Sequence, residues 1–216
     1  MTSSQRRRAH FQFVPMDDSE IDLITYPSGT IEQREGETMP ADLDKLDPIL
    51  KGKALSLIEK CMQRGAQMRP NAGLRDPFEQ GRLWRQSRSI EVVNQKITLL
   101  RKSGADFLAH CIERDGPQYG KPVTNAIPGF SWHQWGQALD FFWVVQGKAV
   151  WDTEIQINGV NGYQALAEEA TKLGLTAGGY WTSLKDWPHI QLPHDDSPAD
   201  GYTLKEIDAE MKKRFG

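Results

Sequence analysis

Residues 138–145 read Ala-Leu-Asp-Phe-Phe-Trp-Val-Val, and no other stretch narrows the possible folds as much. A run this apolar and aromatic is unsuited to a surface element and predicts a central β-strand. Gln146-Gly147 is placed to turn it into a second strand over 148–151. Shorter strands are expected at 66–69, halted by Pro70, and at 175–181 and 188–192. The helical segments carry their own punctuation. Asp47-Pro48 reads as an N-cap followed by the first helical position, after which Leu50, Ala54, Leu57 or Ile58, and Cys61 recur at helical spacing up to Gly65. Asp76-Pro77 opens a second helix in the same way. Residues 90–114 predict one long helix or two, interrupted near Gly104, and 115–132 predict a loop. A helix over 162–173 ends at Gly174, and Thr203 with Glu206 forms a capping box for a terminal helix to Arg214. Strands and helices do not alternate as βαβ units. The expected class is therefore α+β, a small antiparallel central sheet flanked by helices.

Composition sets the remaining bounds. The 216 residues suit one domain with an appendage, and 38% hydrophobic residues suffice for a core without disulfides. Residues 1–40 are polar and charged and predict an extended arm, leaving 41–216 as the main domain. With 26 basic and 29 acidic residues the net charge is −3. A general nucleic-acid-binding surface is disfavoured. No run reaches the roughly 18 apolar residues of a membrane span, and the basic N-terminus lacks the apolar stretch of a signal peptide. The expectation is a monomer made in the cytoplasm without a signal peptide, with no membrane insertion. Cys61 and Cys111 are too far apart for a Cys-x-x-Cys motif and are expected as buried thiols rather than a disulfide.

The chemistry concentrates in two places. In Ser-Trp-His-Gln-Trp-Gly-Gln-Ala-Leu-Asp, His133 precedes Asp140 by seven residues, and in Lys-Asp-Trp-Pro-His, Asp186 precedes His189 by three. Two imidazoles and a carboxylate form a three-ligand set for catalytic zinc, with the fourth position left for water. Asp186 would then serve as general base. Gly136 would let the chain bend so that His133 and Asp140 reach one ion. On residue types alone a second reading stands: hydrogen-bonded structural histidines, with His133 and Asp140 two turns apart on an exposed helix face and Asp186 capping a turn. Six of the seven tryptophans fall between 132 and 187. Trp143 and Trp151 are expected in the core, whereas Trp132, Trp135 and Trp187 flank the proposed ligands and could line a groove.

Ser-x-His-x-x-Gly-x-Ala-x-Asp at 131–140 and Asp-x-Pro-His at 186–189 resemble the signature of the zinc peptidases that include D-alanyl-D-alanine carboxypeptidases and L-alanyl-D-glutamate endopeptidases, among them phage endolysins. Residues 69–88 resemble that family's Gly-x-Arg-Thr-x-x-Glu-Gln-x-x-Leu-Tyr segment, and 175–181 its Gly-Gly-x-Trp stretch. The likeness spans about residues 43–193. It implies Zn2+ held by His133, Asp140 and His189 at one edge of the sheet. Asp186 would be the catalytic base and proton donor, and Arg75 the residue that steadies the oxyanion. Ser131, Gln80, Trp135 and Trp187 would support or line the substrate site. It also implies a peptidoglycan stem peptide as substrate, cut most readily at the L-alanyl-D-glutamate bond, and action on the cell wall after release or delivery. A D-Ala-D-Ala carboxypeptidase and an inactive wall-binding or virion module are the alternatives. Three departures stand out: Asp76 replaces the family's Thr or Ser, Ile190-Gln191 replaces an aromatic–Glu pair, and residues 89–125 are longer than usual.

Overall fold

The structure is a computed structural model and describes residues 41–194 and 196–216. The expected arm, 1–40, lies outside the described residues. Helix α1, Pro48–Gln63, begins where Asp47 caps it, its carboxylate accepting from the Ile49 N–H at 2.8 Å. Strand β1, Gln67–Ala72, leads to α2, Pro77–Arg85, which Asp76 caps through the Phe78 N–H. The segment expected as one or two helices is two, α3 (Ile90–Lys102) and α4 (Asp106–Glu113). Beyond a long irregular stretch come β2 (Ala138–Val145), β3 (Lys148–Val150), α5 (Gly162–Lys172), β4 (Thr176–Ala177), β5 (His189–Gln191) and α6 (Leu204–Phe215). Among the described residues no helix is long and apolar enough to cross a membrane.

All strand pairings are antiparallel, in the order β1-β2-β5-β4, with β3 folded back onto the far end of β2. The α+β expectation is met, and the apolar run at 138–145 is the central strand. Its two faces divide the core. Leu139, Phe141 and Trp143 join Leu50, Leu57, Cys61, Tyr163 and Leu166 in a cluster that packs the sheet against α1 and α5. Trp84, Val93, Ile97, Leu108, Ile112, Ile207 and Met211 build a second cluster from α2, α3, α4 and α6, which Ala138 of β2 also joins. Because side chains alternate along a strand, Asp140 falls on the face opposite the first cluster. That alternation presents a carboxylate from an otherwise apolar strand.

Three expectations need correction. Pro70 does not halt β1, which runs on to Ala72 with a register shift between Pro70 and Ala72. Among the described residues β1 is an edge strand paired to β2 alone, so the missing proline N–H disrupts no second ladder there. The strand expected over 175–181 is only Thr176–Ala177, followed by a 3-10 turn at Gly178–Tyr180. Trp151 is not in the core: it is 49% exposed, with its ring tilted against Phe142. Trp143 is buried as expected, and both cysteines are buried free thiols.

Candidate metal centre

The first candidate ligand comes from a tight turn, not an exposed helix. Trp132–Trp135 form a 3-10 helix capped by Ser131, whose side chain accepts from the His133 N–H while Gln134 accepts from the Ser131 N–H at 3.2 Å. Gly136 ends the turn in the left-handed conformation, φ +71°, a region costly for side chains bearing a Cβ. The reversal carries the chain from His133 into β2, where Asp140 pairs with Ala72 of β1 on one side and His189 of β5 on the other. Residues directly opposite one another across strands share a face. The Asp140 and His189 side chains therefore meet.

Asp140 Oδ1 lies 3.3 Å from His133 Nε2 and 3.1 Å from His189 Nδ1, and one donor atom from each of the three residues falls within 4.8 Å of the others. The remaining ring nitrogens are engaged. His133 Nδ1 lies 2.8 Å from the Gly73 carbonyl oxygen, which can only accept, so Nδ1 carries the proton and Nε2 presents a lone pair. His189 Nε2 lies 2.9 Å from the Gln191 side-chain carbonyl oxygen. A lone-pair nitrogen, a second imidazole nitrogen and a carboxylate oxygen converging in a buried place suit a divalent cation. Burial alone would raise the Asp140 pKa, but the two imidazoles outweigh it and hold the carboxyl below the usual range. Burial pushes His189 down, and the Asp140 carboxylate more than reverses this.

The proposed base and the proposed oxyanion-holding arginine both border this cluster. The Asp186 carboxyl is raised above its ordinary pKa, first by desolvation and then by the negative charge of Asp140, with His189, His133 and Arg75 opposing. It is held by the loop that carries His189: the Asp186 N–H donates to the Gly178 carbonyl at 3.0 Å, and the His189 N–H donates to the Asp186 carbonyl at 3.1 Å. A Cβ on Gly178 would lie 2.5 Å from the Asp186 carbonyl oxygen, and one on Gly179 would lie 2.3 Å from the Trp187 ring. The Gly-Gly pair is thus the close packing surface of the Asp186–His189 loop.

Arg75 donates its backbone N–H to the His133 carbonyl at 3.1 Å and extends Nη2 to 3.8 Å from Asp140 Oδ2. Its Nη1 donates to Gln80 Oε1 at 3.0 Å. Gln80 is fully buried; the same oxygen accepts from Gln134 Nε2, and its own amide donates to the Ala126 carbonyl. A continuous chain therefore runs from Ser131 through Gln134 and Gln80 to Arg75. Sequence reasoning missed Gln134, whose only signal was its place three residues after the Ser131 cap.

The tryptophans divide differently from expectation. Trp135 is not brought to the cluster: it is buried in the helical core, donates to the Gly129 carbonyl and stacks on Tyr202. Trp187 is half-buried, packing over Gly179 and edge-on to Tyr180. Trp181 instead reaches the site, with its ring 5.1 Å from that of His189. Two hollows flank the cluster. One, about 610 Å³, is lined by residues 122–125, Trp181 and 184–186. The other, about 460 Å³, is lined by Lys45, residues 71–75 and Glu79 among others.

A sequence model of the D-alanyl-D-alanine carboxypeptidase family matches residues 124–192, the stretch holding His133, Asp140, Asp186 and His189. Over this stretch the chain is similar to that peptidase family. It is 28% identical over 159 residues to the peptidoglycan L-alanyl-D-glutamate endopeptidase CwlK of Bacillus subtilis (strain 168), covering 72% of this chain and 78% of that protein. Among solved structures, the L-Ala D-Glu endopeptidase ChiX of Serratia marcescens is similar over 69% of this chain and 82% of that one, with a TM-score of 0.40 and 18% identity. The likeness to CwlK reaches well beyond residues 124–192.

Proposed function

We propose that the protein is a zinc-dependent endopeptidase that hydrolyses the L-alanyl-D-glutamate bond of peptidoglycan stem peptides. The observation that carries this reading is the convergence of His133, Asp140 and His189 with Asp186 and Arg75 on its border. His133 Nε2, an Asp140 oxygen and His189 Nδ1 would hold the ion. When bound, Zn2+ supplies a Lewis acid that polarises the scissile carbonyl and lowers the pKa of a water toward ~7. Asp186, its pKa raised, accepts the proton as water attacks the carbonyl carbon. It returns that proton to the leaving amine as the C–N bond breaks, so the base ends ionised as it began. Arg75 is steadied by Gln80 and extends its other guanidinium nitrogen toward the cluster, where it can donate to the carbonyl oxygen as charge builds there.

The two hollows favour an endopeptidase over a carboxypeptidase. One borders Asp186 and the other Arg75, which leaves room for chain on both sides of the scissile bond. The test is mass spectrometry of purified peptidoglycan incubated with the zinc-loaded protein, with and without a chelator. A chelator-sensitive fragment bearing a new amino terminus on D-Glu supports the proposal. Release of free D-Ala replaces it with the carboxypeptidase. Intact wall of several chemotypes, together with an Asp186→Ala variant that behaves as the parent, supports an inactive binding module.

A further inference from the structure

We propose that Gln191 is a positioning residue that commits His189 to bind metal through Nδ1; the inference rests on the metal reading above. His189 and Gln191 are two residues apart on β5 and therefore share the face that Asp140 occupies on β2. Gln191 is 3% exposed and stands in register between Ala138 of β2 and Thr176 of β4, both smaller residues. Its side-chain oxygen lies 2.9 Å from His189 Nε2. A carbonyl oxygen carries no proton, so this contact is a hydrogen bond only when Nε2 is protonated, and a protonated ring nitrogen cannot ligate. Nδ1 is left as the donor atom, and it is the nitrogen 3.1 Å from Asp140.

His133 is treated in the mirror sense. The Gly73 carbonyl holds the proton on Nδ1, which leaves Nε2 as the donor atom. The two rings thus ligate through opposite nitrogens, each selected by a neutral carbonyl oxygen behind it. One selector is backbone and comes with the fold, but the other is a side chain and can be removed. A neutral amide orients the ring without competing for its proton as a carboxylate would. With Gln191 absent, His189 loses the acceptor that holds the proton on Nε2, and the ring is no longer committed to presenting Nδ1.

The test compares the full-length chain with Gln191→Leu and Gln191→Glu, using Zn2+ as the probe. Long-range 1H–15N spectra of the zinc-loaded parent are expected to show His189 protonated at Nε2 and His133 protonated at Nδ1. Competition with a chromophoric chelator is expected to show Gln191→Leu binding Zn2+ roughly 10–100-fold more weakly, whereas Gln191→Glu, which still accepts the bond, stays within a few-fold of the parent. His189 ligating through Nε2 in the parent overturns the proposal, as does a Leu variant with unchanged affinity and spectra. Should the Leu variant not fold, the parent spectrum and the Glu variant decide. A parent that takes up no Zn2+ overturns the metal reading itself, which separates the two failures.

Discussion

Gly178→Ala tests how the Asp186–His189 loop is held. The new Cβ would lie 2.5 Å from the Asp186 carbonyl oxygen, 3.1 Å from the His189 Cβ and 3.2 Å from the Asp186 Cβ, where ordinary contact begins at 3.4 Å. The worst overlap is thus about 0.9 Å, and it falls on backbone that cannot rotate away. Relief requires the proposed base and a proposed metal ligand to retreat together by a comparable distance, since the His189 N–H is bonded to the Asp186 carbonyl. Overpacking of this kind costs roughly 1–3 kcal/mol, which lowers the melting temperature of a chain this size by roughly 2–4 °C for each kcal/mol. A displacement near 1 Å at reacting groups costs about 100-fold in rate. Stem-peptide turnover at saturating Zn2+ is the assay, with thermal melting alongside. Turnover should fall about 100-fold while the protein still folds. Gly52→Ala is the control, because nothing lies within 4 Å of that helical position; it should raise stability by up to ~1 kcal/mol and leave turnover alone. A Gly178→Ala protein with parental turnover and melting would refute the argument.

Further expectations follow from the same contacts. Gln80→Leu leaves buried partners without hydrogen bonds, at about 1–3 kcal/mol for each orphaned group. It also frees Arg75, so turnover should drop while Zn2+ affinity stays near the parent's; equal losses in both would place Arg75 among the residues that shape the metal site. Burial pushes the thiols of Cys61 and Cys111 up to about 12. Neither should react with iodoacetamide at pH 8 until the chain unfolds. Above the ordinary thiol pKa of about 8.5 the unfolded chain loses protons that the folded chain keeps, so denaturant midpoints should fall as pH rises from there toward 12. Chelation should lower the melting temperature, and re-addition of Zn2+ should restore it, because an ion bound by the folded chain alone stabilises that state. A melting curve indifferent to chelator would count against a resident ion.

The sequence determined what is local. Asp47-Pro48, Asp76-Pro77 and the Thr203–Glu206 pair set helix starts because capping needs only a side chain and the N–H groups one turn ahead. The apolar run at 138–145 declared a central strand because its burial does not depend on which neighbours supply it. The candidate ligand types could be picked out for the same reason, since chemistry is carried by residue identity. Tertiary structure decided what meets. Register across β1, β2 and β5 places Ala72, Asp140 and His189 side by side, and nothing in the spacing of 72, 140 and 189 states that register. Pro70 was read as a stop because its missing N–H is visible in sequence, while its seat on an edge strand is not. The tryptophans show the limit most plainly. Trp135, two residues from His133, turns into the helical core, whereas Trp181, eight residues before His189, comes to rest on its ring. Proximity along the chain reports the backbone's path, and a side chain's destination depends on the face its element buries.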